Sequence, residues 1–265
     1  MTMNDTTLLI NTCDGFEDCW PAFFQLLATY WPDCDWPIVL NTETKTFNYP
    51  GLNIRSARVA EGTEQRLSWS ACLMRCLDSI ETSYVLYVQE DYFLEAPVRT
   101  ELLQQLLDEM RAGRADVIRL MECGGSGPWH PTIHPLLWRV DQRARYRIAL
   151  QAGLWRKSTL RSHLRAHESP WQLEGFGSAR ARRRVGEKVL CVNRDVLHGP
   201  GREIFPYTPT GIVSGRWEQH VVVDLFQRHG IPMDFTRRGF YDRHNQGGRR
   251  APLARRLADR LRSLW

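Results

Sequence analysis

Through its first 120 residues the chain alternates short apolar runs with stretches of helical spacing, and this alternation limits what it can become. Residues 7–12 (TLLINT), 37–42 (PIVLNT) and 84–88 (YVLYV) read as buried strands, with a shorter one over 53–58 and another over 117–121. Between them, residues 16–30, 64–80 and 97–111 read as helices. In the second of these, Leu67, Ala71, Met74 and Leu77 fall near helical spacing. Strands alternating with helices in this way call for βαβ units, a mostly parallel sheet and helices on its faces. Ligands of such open sheets bind beyond the carboxyl ends of the strands. The expected strand ends carry Asn11-Thr12-Cys13-Asp14, Asn41-Thr42-Glu43 and Gln89-Glu90-Asp91, all polar.

The pattern breaks over residues 122–147, where glycines and prolines surround Trp129, His130, His134 and Trp138. A long loop of the kind that covers a site is expected there. Regular structure returns over 148–155, a helix from Lys157, a strand over 189–192 and a helix over 217–229.

Composition narrows the classes further. With 43% hydrophobic and 25% charged residues, the 265-residue chain has the means to build a core and is not a disordered one. No stretch approaches the roughly 18 apolar residues that span a bilayer. The first residues lack the basic and apolar regions of a secretory leader, and the seven cysteines are odd in number and irregularly spaced. A reduced, cytoplasmic protein is expected. Residues 249–265 hold six arginines and one aspartate, which accounts for the whole net charge of +5. There Leu253, Leu257, Leu261 and Trp265 recur every four residues with arginines on the other faces. That pattern fits an amphipathic helix on an anionic membrane surface, or a helix packed on its own domain. No aromatic-interleaved basic platform accompanies it, so no nucleic-acid partner is expected.

The chemistry-bearing motif is the run from Tyr84 to Phe93, where an apolar strand delivers Glu90 and Asp91 to its end. Adjacent carboxylates in that place hold a hard divalent cation, or they are a solvated junction. There is no P-loop, no G-x-G-x-x-G after a strand and no G-x-S-x-G elbow. The loop over residues 13–18 is acidic and would repel a triphosphate, which disfavours a sugar nucleotidyltransferase. Cys72 and Cys76 stand four apart on a helix with no second pair to complete a metal site, so they read as buried thiols.

This order of elements and motifs resembles the nucleotide-sugar-dependent glycosyltransferases of the GT-A fold, of the bacterial surface-polysaccharide type. Thr12 and Asp14 resemble the opening segment that contacts the nucleoside. Gln89-Glu90-Asp91 resembles the acidic motif, usually Asp-x-Asp, that binds the metal and diphosphate of the donor. Asp91 holds the usual ligating place and Gln89 replaces the first acid. The resemblance implies an α/β, Rossmann-like GT-A domain over 1–245, with a nucleotide-binding half (1–121), an acceptor half (122–245) and the tail as an appendage (246–265). It implies Mn²⁺ or Mg²⁺ as cofactor, subject to the departure at Gln89. Glu174, in the segment Glu168-Ser169-Pro170-Trp171-Gln172-Leu173-Glu174, resembles the catalytic base of the inverting enzymes. Its other reading is a surface helix residue. Glu168 is the rival base, or a cap for the helix that opens at Ser169-Pro170. Gly153 resembles the small residue that lets a donor sugar approach. Trp155 stacks on a sugar or belongs to the core. Arg156 and Lys157 hold diphosphate or are solvated. His198 matches a third metal ligand used by some members, or is a structural loop histidine. Arg202, in a Gly/Pro loop, is suited to the leaving diphosphate. The implied partners are a nucleotide-sugar donor and a glycan or lipid-linked glycan acceptor. The alternative is a non-catalytic carbohydrate- or partner-binding protein on the same scaffold.

Overall fold

A computed structural model describes residues 5–121 and 127–243, together with 258, 259, 262 and 263. The sequence builds a nine-stranded sheet flanked by helices on both faces. Strands β1 (Thr6–Asn11), β2 (Ile38–Asn41), β3 (Ile54–Ser56) and β4 (Tyr84–Gln89) form a parallel block in the order β3-β2-β1-β4. Every residue of β1 and β2 is buried, as expected of strands covered on both faces. The α/β, Rossmann-like layout expected of the chain is therefore the layout found.

Beyond β4 the sheet becomes mixed. β5 (Val117–Arg119) is separated from β4 by a later strand, β8 (Gly153–Arg156), which runs antiparallel to both. β9 (Val189–Val192) then pairs parallel with β5. A strand from the second half of the chain thus lies between two from the first, and the two halves share one sheet. The edge beyond β9 is a hairpin of β6 (Trp129–Pro131) and β7 (Leu137–Val140), with β7 antiparallel to β9. The long loop expected over 122–147 is in this part a sheet edge. β7 satisfies its backbone groups through β9, a partner some fifty residues on, which local sequence does not announce, and β6 pairs with β7 alone. A small antiparallel pair, β10 (Ile212–Val213) and β11 (Arg216–Trp217), follows.

Helices α1 (Trp20–Tyr30), α3 (Thr100–Arg111) and α8 (Gln219–Arg228) cover one face. Helices α2 (Trp69–Asp78) and α4 (Lys157–His163) cover the other. α2 begins later than its spacing suggests because Ser68 caps it, accepting from the Ala71 amide at 3.0 Å. α3 begins at Thr100, and the amides of Val98 and Arg99 ahead of it donate to the carbonyls of Tyr30 and Ile204. In the second half, α5 (Pro170–Gln172) runs through a π turn (Leu173–Gly177) into α6 (Ser178–Ala181), and α7 (Arg194–Leu197) follows β9. Among the described residues, no helix is long and apolar enough to cross a membrane.

The leucines and the tryptophan of the expected tail helix lie outside the described residues. Ala258, Asp259 and Arg262 are helical. Ser263 is buried against the domain. Its carbonyl accepts from Arg180 Nη1 at 2.7 Å, its hydroxyl meets His167 Nε2 at 2.9 Å, and Gln172 Nε2 donates to Asp259 at 3.0 Å.

Candidate functional site

The strand directions bring the carboxyl ends of β1, β2, β4, β5 and β9 to one edge, where β8 enters at Gly153 opposite Tyr87 and Arg119. Asn11 is in register with both Asn41 and Gln89. Asn41 Nδ2 donates to Asn11 Oδ1 at 2.8 Å, so polar side chains continue the sheet past its last ladder bonds.

Next to this row, Glu90 and Asp91 are each only 7% exposed. Asp91 Oδ2 accepts from the hydroxyl of Thr210 and from the Ile212 amide, the latter at 3.2 Å. Its carbonyl accepts from the Gly211 amide at 3.0 Å. Only glycine fits at 211, since a Cβ there would stand 2.4 Å from the Phe93 ring. Burial pushes the Glu90 carboxyl well above the usual range, and the adjacent Asp91 adds to the push. Burial also raises Asp91, against the pull of its bonds to Thr210 and Ile212. Among the described residues, no cation lies within ion-pair distance of either acid. The guanidinium of Arg238 favours the Glu90 charge from further off, but it is paired with Asp18 at 2.6 Å and lies 4.3 Å above the Phe16 ring.

Two adjacent buried carboxylates without a bonded cation among the described residues fit a hard divalent ion, which takes one or two carboxylates and completes its shell from phosphate and water. They do not form a cage by themselves. Among the described residues, no three His, Cys, Asp or Glu side chains converge as a metal set. His198 is half-exposed in its turn, with Nδ1 4.0 Å from Glu203 Oε1.

Glu174 sits in the π turn, a helical irregularity often found at functional sites. Its Oε1 accepts from the Leu150 amide at 2.9 Å. The Leu150 carbonyl accepts in turn from Gln89 Nε2 at 3.1 Å and from Tyr92 Oη at 2.9 Å. One residue of main chain thus joins Glu174 to the end of β4. Burial raises the Glu174 carboxyl, while the Leu150 amide and the nearby Arg119 guanidinium hold it down. Tyr92 stacks on Tyr207 at 4.5 Å between ring centroids. Tyr207 accepts from the Ala152 amide at 3.0 Å and donates to Gln151 Oε1 at 2.8 Å. Residues 150–152 are therefore fixed by four side chains from three parts of the chain.

The other sequence-derived candidates make contacts of their own. Thr12 is buried, its hydroxyl accepting from Trp20 Nε1 at 3.0 Å. Asp14 clamps the loop after β2, accepting from the amides of Glu43 and Thr44, each at 2.9 Å. Gly153 is needed for strand packing, since a Cβ would meet the Ile118 carbonyl at 3.2 Å. Trp155 is only 1% exposed and packs in the core beneath α2 and α4, so its sugar-stacking reading is corrected to the core one. Glu168 is corrected likewise. Its side chain is wholly buried in a two-point ion pair with Arg180, at 2.5 and 2.8 Å, which leaves no oxygen for proton transfer. Arg156 pairs with Asp116 at 3.1 Å, and Lys157 Nζ donates to the Ile80 carbonyl. Arg202 Nη1 reaches the Asp195 carbonyl at 3.3 Å in the loop after α7. Sequence reasoning missed Tyr92, Arg119, Leu150, Tyr207 and Thr210. Tyr92 directly follows the acidic motif and was within reach of it. The others are joined to the site only by tertiary structure.

No protein-family model matches the sequence, and no curated protein matches it. Among solved structures the chain is similar to S. aureus TarS 1-349 in complex with UDP, with a TM-score of 0.46, 14% identity, and coverage of 71% of this chain and 56% of that one. It is similar to a mycobacterial protein at a TM-score of 0.49 and 13% identity, covering 86% and 75% of the two chains. The apo UDP-glucose pyrophosphorylase structure gives 0.46 and 9%, covering 72% and 90%. The chain spans 34% of TarS in one structure and 57% of TarS 1-349. These are distant likenesses, each under 15% identical.

Proposed function

We propose that this chain is a glycosyltransferase that moves a sugar from a nucleotide-sugar donor to a hydroxyl of a glycan acceptor. The observation that carries the reading is the link Glu174–Leu150–Gln89, which joins a buried carboxylate of the second half to the strand end bearing Glu90 and Asp91. A sugar hydroxyl is a poor nucleophile until a positioned base accepts its proton. A carboxyl raised by burial is a stronger base than a solvated one, and Glu174 has that environment. In the proposed reaction the acceptor oxygen attacks the anomeric carbon and its proton passes to Glu174. The bond to the nucleoside diphosphate breaks on the opposite side, which inverts the anomeric centre. Glu90 and Asp91 would hold the divalent ion, Mn²⁺ or Mg²⁺. That ion would neutralise charge on the departing diphosphate. The Asp14–Glu43 clamp and Thr12 would shape the nucleoside side, and Arg202 the diphosphate side.

The basic, leucine-striped tail supports a place beside an anionic membrane and a lipid-linked acceptor, as in surface-polysaccharide (O-antigen or capsule) assembly. Calorimetry with UDP, GDP, CMP and dTDP, with and without Mn²⁺, tests the donor site. Turnover by the Glu174→Gln variant tests the base. The bonds that Asp91 already makes to Thr210 and Ile212 favour one second reading, a non-catalytic carbohydrate-binding protein. Sugar or nucleotide binding without turnover, in wild type and variant alike, selects that second reading.

A further inference from the structure

We propose that Gln89 is a positioning residue for Glu174, acting through the main chain of Leu150; the inference rests on the transferase reading above. Gln89 Nε2 donates to the Leu150 carbonyl at 3.1 Å, and the amide of the same residue donates to Glu174 Oε1 at 2.9 Å. A carbonyl accepts hydrogen bonds only, so the side chain at 89 must be a donor. An ionised carboxylate there would have no hydrogen to give. It would face the Leu150 oxygen with like charge, and it would add a third acid beside Glu90 and Asp91. This accounts in physical terms for glutamine at the place where the acidic motif usually opens with an acid.

Tyr92 supplies the second donor to the same carbonyl, at 2.9 Å, and is itself held by stacking on Tyr207. Two donors on one carbonyl use both of its lone pairs and fix the plane of the peptide. The Leu150 amide lies in the preceding peptide plane, so the held carbonyl restrains it through the φ and ψ of Leu150, and with it the oxygen of Glu174 that the amide holds. The free oxygen of Glu174 is then aimed by groups that touch no substrate. Positioning of this kind acts on kcat, because a small displacement of a base costs rate with little change in ground-state affinity.

The test compares wild type with Gln89→Ala, Gln89→Glu and Tyr92→Phe, each checked for an unchanged melting profile. Gln89→Ala is expected to lower kcat about tenfold, the worth of one hydrogen bond, with KM for the nucleotide sugar moved less than about twofold. The acid limb of its pH profile moves up, because the Leu150 amide no longer holds the Glu174 carboxyl down as firmly. Gln89→Glu falls further than Gln89→Ala, and Tyr92→Phe moves the pH profile in the same direction. Leu150 amide hydrogen exchange quickens in all three. A glutamate as active as glutamine, a change confined to KM, or an unmoved pH limb would overturn the proposal. Should wild type turn over no nucleotide sugar, the transferase reading fails by itself. Leu150 exchange and the titration of Glu174, followed by carboxyl NMR, then decide the Gln89 link: unchanged values in the Gln89 variants overturn it. Should both Gln89 variants fail to fold, the same two readouts in Tyr92→Phe decide it.

Discussion

Arg180 and Glu168 face each other through two hydrogen bonds, 2.5 Å from Nη1 and 2.8 Å from Nη2, in a pair almost wholly sealed from water. The second hydrogens of Nη2 and Nη1 go to the carbonyls of His163 and Ser263, while Nε is buried without a partner among the described residues. Removing one partner leaves the other charged and buried, so Arg180→Ala is expected to cost about 3–5 kcal/mol of stability. Glu168→Gln keeps the shape and loses the charge, and is expected to lower the midpoint of urea unfolding while purified folded protein keeps its specific activity. A variant inactive at wild-type stability would instead return Glu168 to the chemistry.

Glu174 has the opposite profile. Its carboxyl is raised by burial and bonded to a main-chain amide rather than to a cation. Glu174→Gln is expected to lower kcat about 10²–10⁴-fold, the usual worth of a general base. Because the folded carboxyl binds its proton more tightly than the unfolded one, stability falls as pH rises from about 4.5, the ordinary glutamate range, through the folded value. Glu174→Gln removes that slope. Thermal melts from pH 4 to 8 and initial rates over the same range check both halves of the prediction.

The two glutamates show what the sequence could and could not convey. They stand six residues apart in one segment, and either qualifies as a base on residue type. What separates them is Arg180 for one and the Leu150 amide for the other, and neither contact has a local signature. The strands were legible where burial on both faces demands an unbroken apolar run, as in β4, and β9 lies over the same residues the pattern gives. The hairpin β6–β7 was not, because Trp129–Pro131 has no apolar run and exists through its pairing in the sheet. Trp155 shows the same limit from the other side. Regular structure was expected as far as Trp155, but which face it points to depends on register with Val85 and Val117.

His163 makes the fold acid-sensitive. Its Nε2 lies 2.9 Å from Glu187 Oε1, and its Nδ1 is buried without a partner among the described residues. The neutral ring satisfies this by carrying its hydrogen on Nε2; a second proton would have to sit on the unpartnered Nδ1. Burial holds the pKa of His163 below its usual 6.5, with the Glu187 hydrogen bond opposing. The unfolded chain therefore takes up a proton first. The contribution of this residue is complete above about pH 6.5 and is lost as pH falls through the folded value. Melting temperature is expected to drop below pH 6.5 in wild type, and His163→Gln, which cannot titrate, should lack this component.

The C-terminal residues bind the segment that carries Glu174, and this links the tail to the proposed base. Ser263 and Asp259 meet Arg180, His167 and Gln172, which flank Glu174 in sequence. Deleting residues 258–265 removes the Ser263 carbonyl from a buried guanidinium, a bond worth about 1.5–3 kcal/mol, together with two weaker ones. The expected outcome is a lower melting temperature and a lower kcat even with a soluble acceptor, because the π turn loses a support on one side. The same deletion bears on the membrane reading. Flotation with phosphatidylglycerol vesicles at low and high salt separates the two roles: retention by full-length chain alone, lost at high salt, marks a tail that also holds an anionic surface. Equal partitioning of both forms, with the kcat loss intact, leaves the tail as an intramolecular brace for the proposed base.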